Sequence, residues 1–300
     1  MKKIVSVILC LSLVLSLSLT AFATEAAPGD ARAVIGANLT DDQVASVYDL
    51  FGLKRGSVTE LSVTNSEERE YLEGLVDSSL IGTNSISCIY VEILPEGEGL
   101  QIETHNLTWC TEEMFVNALV TAGIDDAKII VAAPFAVSGT AALTGIYKAY
   151  EDITGEKMDS VIKLISTQEL VITGELADQI GSYNSVEIVN ELKLILDETE
   201  NMTDEELAAT IREIADEYNV PLVDSQIDQL ISLCRSFEKM NADELKEKVE
   251  QVQNTVKKLA EAQEKVSGIA QKIAEVSEKV KTVVETVTEF VNNLIARFKK

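Results

Sequence analysis

The sequence is poor in the residues on which neutral-pH catalysis and disulfide cross-linking depend. It contains one histidine, four cysteines and four prolines, and only 5% of its residues are aromatic. Because histidine is the usual proton carrier near pH 7, a Ser138 or cysteine nucleophile would depend on His105 as its base. A zinc site would need paired Cys and His spacings, which Cys88, Cys110 and Cys234 do not have. We therefore expect no metal or cofactor. The scarcity of residues suited to catalysis favours a protein that is not an enzyme.

Basic residues are also scarce: 25 Lys and Arg stand against 50 Asp and Glu, for a net charge of −25. This balance excludes nucleic acid as a partner, because binding to phosphates depends on clustered Lys and Arg. The acidity is confined to residues 24–241, which carry a net charge of −28, whereas residues 242–300 carry +1. A surface of this kind binds divalent cations weakly and keeps the protein soluble.

The N-terminal segment 1–23 has the pattern of a secretory signal peptide. Lys2 and Lys3 precede an uncharged run that ends in Ala21-Phe22-Ala23. A basic start, an apolar stretch too short to span a membrane and a small-x-small site predict export with cleavage near Ala23. The mature protein is then secreted, or associated with the cell envelope, without a transmembrane span.

Residues 24–153 read as an α/β domain (or α+β, with a mixed sheet). Strands are predicted at 31–36, 57–63, 86–94, 100–107 and 128–133, with helices between them. Pro95-Glu-Gly-Glu-Gly99 predicts a hairpin that joins the third and fourth strands. After Lys128 the fifth strand is apolar, as expected of a strand buried on both faces.

The run between Lys128 and Lys148 contains no charged residue. A transmembrane helix is one interpretation of such a run. Its proline, glycines and hydroxyl residues favour another, in which the strand is followed by a Pro-Phe turn and a helix capped near Ser138. Gly139, Ala142 and Gly145 would let that helix lie close to the sheet.

From residue 154 onward the pattern is helical. Helices are predicted at about 157–180, 185–199, 203–219 and 222–239, which makes 154–241 a helical region. In 242–300 an apolar residue recurs every seven positions, predicting a long amphipathic, coiled-coil-like helix, or a hairpin broken at Gly268. The recurring residues are Leu245, Val252, Leu259, Val266, Ile273, Val280, Val287 and Leu294.

Two candidate features remain. Ser138, Gly139 and Thr140, at a predicted helix start, could offer backbone N–H groups to an anion or other ligand; tight packing of small residues is the alternative. Cys88 and Cys110, on extended segments expected to be neighbours, could form a disulfide in an oxidising compartment, or could be small buried apolar groups.

Several motifs resemble those of the DUF1002 proteins, predicted secreted proteins of Gram-positive bacteria. They include Gly36-Ala-Asn-Leu-Thr40, Val63-Thr-Asn-Ser-Glu-Glu68 and, most specific, Pro134-Phe-Ala-Val-Ser-Gly-Thr-Ala-Ala-Leu-Thr-Gly145. The resemblance covers roughly 30–240. It implies export and an α/β unit followed by helices, and it carries over no activity or catalytic residue.

The sequence thus predicts an exported, non-enzymatic binding protein of the cell envelope. Its partner would be a cell-wall or envelope component, or a second copy bound through 242–300. The alternative is a cell-wall-directed hydrolase that uses paired carboxylates of the α/β unit, since an abundance of acids supplies many such pairs.

Overall fold

The computed structural model describes residues 26–75, 78–253, 255–257, 259 and 261. The predicted signal peptide and the heptad positions from Val266 onward lie outside the described residues. The described strands are β1 Ala31–Gly36, β2 Thr59–Val63, β3 Cys88–Ile93, β4 Leu100–Leu107 and β5 Ala127–Val137. The described helices are α1 Asp41–Leu50, α2 Asn65–Leu72, α3 Ser78–Ile81, α4 Glu112–Thr121, α5 Ala142–Thr154, α6 Ser160–Ile180, α7 Ser182–Leu194, α8 Leu196–Thr199, α9 Asp204–Glu217 and α10 Asp224–Phe237.

The five strands form one mixed sheet in the order β2-β1-β3-β5-β4. β1 pairs with β2 and β4 pairs with β5 in parallel, whereas β3 runs antiparallel to both of its neighbours. The predicted hairpin between β3 and β4 is therefore wrong. β5 lies between them, with Cys88 opposite Ala132 and Leu100 opposite Ala127.

Alternate residues of the strands face two apolar layers. Ala33, Ile35 and Tyr90 pack with Val44, Val47, Tyr48 and Phe51 of α1 and its C-terminal end. Val34, Ile89 and Ile129 point the other way, into a larger cluster with α4 and α5. The mixed α/β sheet predicted for the N-terminal part is confirmed, and helices cover both of its faces.

The uncharged run is a strand followed by a helix. β5 continues through Pro134 and Phe135 to Val137, so the predicted Pro-Phe turn is wrong. Pro134 lies beyond Ala132, where the pairing with β3 ends, and a residue without an N–H is tolerated there. Of the helices that the structure describes, none is both long and apolar enough to cross a membrane.

Helix α5 lies close to the sheet because Gly145 has no side chain. A Cβ atom at this position would lie 2.3 Å from Ile89 Cδ1. The expected close approach is thereby confirmed. The helix begins at Ala142 with Ala141 as its N-cap residue, so Ser138 is not the cap.

The helices that follow form a second apolar cluster, made by residues of α6 to α10 and by Leu245. Leu170 of α6 and Val186 of α7 instead join the cluster that covers the sheet. The described residues of 242–261 are helical and are called the tail helix here. Three of its residues, Val249, Val252 and Val256, are buried in the cluster that covers the sheet. The first part of the heptad pattern thus packs against the protein's own body.

Candidate functional site

Four strands end at one edge of the sheet. Because β1, β2, β4 and β5 run in the same direction, their carboxyl ends lie together, beside the start of β3. Ligands of open α/β sheets bind outside this edge. A cleft of about 390 Å³ opens there between the loop that leads into β3 and the end of β5. We call it the carboxyl-edge cleft; it is lined by Ile81, Gly82, Thr83, Asn84, Ile86, Ser87, Val137, Ser138, Thr140 and Ala141.

One wall of the cleft is the loop 82–87, which rests on Gly36. A Cβ atom at Gly36 would lie 2.5 Å from the backbone oxygen of Ser85, so only glycine permits this approach. The Ser85 N–H donates to Asn38 Oδ1 at 2.9 Å, and Arg69 donates to the Gly82 carbonyl at 2.6 Å. The loop is therefore held near both of its ends.

A buried carboxylate supports the same loop from below. Glu68 is 1% exposed, and its Oε1 accepts a hydrogen bond of 2.5 Å from Ser85 Oγ. Burial raises the pKa of Glu68, while the hydrogen bonds from Ser85 and Asn65 oppose that rise. The Glu68–Ser85 contact fixes the loop without placing a charge in the cleft.

The opposite wall contains the predicted ligand residues. Ser138 Oγ and Thr140 Oγ1 lie 3.2 Å apart, and the Ser138 carbonyl accepts from the Cys110 N–H at 3.0 Å. Gly139 has a φ of +92°, and a Cβ atom there would lie 3.1 Å from Leu107 Cδ1. The structure thus brings Ser138 and Thr140 to the cleft. Gly139 lies between them, where the positive φ favours glycine.

The described lining of the cleft combines apolar residues with polar ones. Hydroxyl groups come from Thr83, Ser87, Ser138 and Thr140, and a carboxamide comes from Asn84. Among the lining residues that the structure describes, none is charged. Groups of this kind both donate and accept hydrogen bonds, so they suit a neutral polar ligand better than an ion.

The cysteines and the histidine are not brought together. Cys88 packs in the apolar cluster with α1, on one face of the sheet, whereas Cys110 packs in the larger cluster on the other face. Cys88, Cys110 and Cys234 are buried free thiols. His105 Nε2 lies 2.9 Å from Glu103 Oε1 on its own strand.

Within the part of the chain that the structure describes, no group of three His, Cys, Asp or Glu side chains is placed to hold a metal ion. Sequence reasoning missed the residues that hold the loop: Asn38, Glu68, Arg69 and Ser85. The glycine that follows the apolar part of β1 is a local signal of close backbone approach. Its neighbour, Ser85, lies far along the chain and could not be deduced from that signal.

Fold and cleft together define a mixed α/β protein with an appended helical region and a cleft at the carboxyl edge of its sheet. The chain belongs to the family described as "Protein of unknown function (DUF1002)", whose model matches residues 35–259. The match includes the tail helix as far as residue 259 and so extends past residue 240, where the resemblance in sequence was expected to end.

A relative in Bacillus subtilis (strain 168), the "Uncharacterized protein YpuA", is 40% identical over 247 residues. The aligned region covers 81% of this chain and 83% of the relative. No solved structure matches this chain.

Proposed function

We propose that this chain is an exported, non-catalytic binding protein of the cell envelope, which holds its ligand in the carboxyl-edge cleft. The main support for this proposal is the geometry of the cleft. Its two walls, the loop 82–87 and the end of β5 with the residues that follow, are each held by hydrogen bonds and meet where the parallel strands end. Preformed concave sites with a few convergent polar groups are typical of ligand-binding proteins. The signal-peptide pattern of residues 1–23 supports export.

The lining of the cleft supports a neutral polar ligand. Hydroxyl and carboxamide groups hydrogen-bond well to the hydroxyls and amides of glycan and peptide, both of which occur in envelope polymers. The partner proposed is therefore a cell-wall component. Self-association through 242–300 would have to use heptad positions outside the described residues, because Leu245, Val249, Val252 and Val256 are buried against the protein itself.

Co-sedimentation with isolated cell-wall sacculi tests this function. The purified protein is expected to pellet with sacculi, and the double variant T83A/N84A, altered at two exposed positions of the cleft, is expected to stay in solution. N201A changes an exposed residue in the turn before α9 and serves as the matched control. Equal pelleting of all three proteins would exclude the cleft as the wall-binding site.

Repeating the co-sedimentation with and without millimolar calcium distinguishes binding through the cleft from binding through the acidic surface. If all variants pellet only when millimolar calcium is added, the acidic residues attach the protein and the cleft does not. If nothing pellets under either condition, attachment to the wall is wrong.

The hydrolase alternative has one observation in its favour. Burial raises the pKa of Glu112, and the charges of Glu113 and Glu103 add to that rise, whereas hydrogen bonds from Thr104 oppose it. A carboxyl group with a raised pKa is what glycoside hydrolysis uses as its general acid. Release of soluble fragments from sacculi by the native protein, and its loss in Glu112→Gln, would establish this alternative.

A further inference from the structure

Three fully buried side chains present polar atoms that no described residue pairs with. Asn117, Thr173 and Asn190 are each at most 1% exposed. Both amide atoms of the two asparagines and the Thr173 hydroxyl have no hydrogen-bond partner among the residues that the structure describes. Buried polar groups are nearly always paired, with protein or with ordered water, so five such atoms call for an explanation.

Each of the three residues lies one helical turn from a member of a bonded trio. In the trio, Thr121 of α4 donates to Glu169 of α6 at 2.5 Å, and Glu169 accepts from Lys193 of α7 at 2.5 Å. Asn117 is four positions before Thr121, Thr173 is four after Glu169, and Asn190 is three before Lys193. Residues three or four apart share a helix face, so all three point into the same three-helix interface.

The three residues also lie on the same side of the trio. Ser182, the first residue of α7, contacts Thr111 at 2.8 Å and Glu113 at 2.9 Å, at the start of α4. The start of α4, the end of α6 and the start of α7 therefore meet at one end of the interface. From the trio, each of the three residues is one turn toward that end, so they form a single layer.

The layer contains both hydrogen-bond donors and acceptors, and this mixture decides which kind of molecule or ion can occupy it. A cation would pair only with the oxygens, and an anion only with the N–H and O–H groups, leaving the remaining atoms unsatisfied. Water both donates and accepts, and a buried water typically makes about three hydrogen bonds. We propose that Asn117, Thr173 and Asn190 form an internal hydration site that holds about two ordered water molecules.

A polar route connects this site with the surface. Lys193 Nζ donates a hydrogen bond to the backbone carbonyl of Asn117 at 3.3 Å, which connects the trio to the layer. Thr121, at the other end of the trio, lines a separate cleft of about 440 Å³ between α4, α6 and the start of the tail helix. A continuous chain of hydrogen bonds therefore links the layer, through the trio, to that cleft.

A high-resolution crystal structure of the purified protein tests the proposal, with a second crystal soaked in bromide. The expected result is water density bridging at least two of the three side chains and no anomalous peak. A direct Asn117–Asn190 hydrogen bond that excludes water, or a bromide peak in the layer, would overturn it.

Thermal unfolding gives an independent test in solution. Thr173→Val keeps the volume but removes the hydroxyl. If that hydroxyl binds water, Tm falls, as it should in the control Thr167→Val, whose hydroxyl donates to the Lys163 carbonyl at 2.7 Å. If the Thr173 hydroxyl has no partner, its removal raises Tm, and the hydration site is refuted.

Discussion

Lys193 Nζ lies 2.5 Å from Glu169 Oε1, and both side chains are withdrawn from solvent. The ammonium group also lies 5.3 Å from the centre of the Phe237 ring. Burial lowers the pKa of Lys193 and raises that of Glu169, and the attraction between the two charges opposes both shifts. The pair joins α6 to α7 in the centre of the helical region.

Removing one charge of this pair is expected to destabilise the protein strongly. Lys193→Met leaves Glu169 buried without its partner and should lower the free energy of unfolding by about 3–5 kcal/mol. The double variant K193M/E169L should regain most of that loss, because no charge is left buried. Urea unfolding measures both. A single variant no less stable than the double variant would contradict the account.

Two glutamates are expected to give opposite pH dependences. The pKa of Glu68 is raised by burial, so its contribution to stability is full below its unfolded pKa of about 4.3 and is lost as pH rises through the raised value. The pKa of Glu151 is lowered: burial opposes this, but hydrogen bonds from Lys157 and Lys163 prevail. Its contribution is full above about pH 4.3 and is lost as pH falls.

Unfolding free energies of the native protein, Glu68→Gln and Glu151→Gln between about pH 3 and pH 7 measure these contributions. Relative to its variant, the native protein should lose stability with rising pH in the first comparison and gain it in the second. Slopes of the same sign would refute the assignment for one of the two glutamates.

The tail helix is expected to contribute to the stability of the body. Val249 and Val256 are fully buried, so Val249→Ala should cost about 2 kcal/mol, from lost burial and the cavity left behind. Val223→Ala is the matched control, because Val223 is 56% exposed and its truncation should change stability by less than about 0.5 kcal/mol. Equal effects would show that the tail helix does not pack as described.

The contact between Gly145 and Ile89 is testable by a compensating pair. Gly145→Ala places a methyl group 2.3 Å from Ile89 Cδ1 and should destabilise by about 1–3 kcal/mol, even though alanine favours helices. Ile89→Val removes that Cδ1 atom. The double variant G145A/I89V should be more stable than the sum of the two single changes predicts; simple additivity would exclude the contact.

The three buried cysteines are expected to be unreactive in the native protein. Burial raises the pKa of Cys88 to about 12 and that of Cys234 to about 11, and it also raises the pKa of Cys110. Thiol titration in the absence of reductant should detect these three groups, but only after the protein has been unfolded. A Cys88–Cys110 disulfide would instead leave two of them undetected until a reductant is added.

Sequence alone determined the local elements of this protein. β1 and β4 have the predicted bounds. At Thr40 and at Thr203, the threonine and the Gln or Glu three residues later form a capping box. Hydrophobic periodicity and capping depend on residues a few positions apart, so the sequence contains all the information they require. The apolar run 129–133 of β5 was likewise recognisable as part of a strand buried on both faces.

Tertiary structure decided the strand order, the cleft and the buried charges. The short connection after β3 allowed a hairpin, but β5, which follows β4 and α4 in the chain, takes the place between β3 and β4. Gly36 and Ser85, or Glu169 and Lys193, become partners only when distant elements pack together. Helical glutamates and lysines are usually exposed, and nothing in their local sequence marks these two as buried. Interactions between residues close in the sequence therefore determine the helices and strands. Burial and pairing between distant residues determine the cleft.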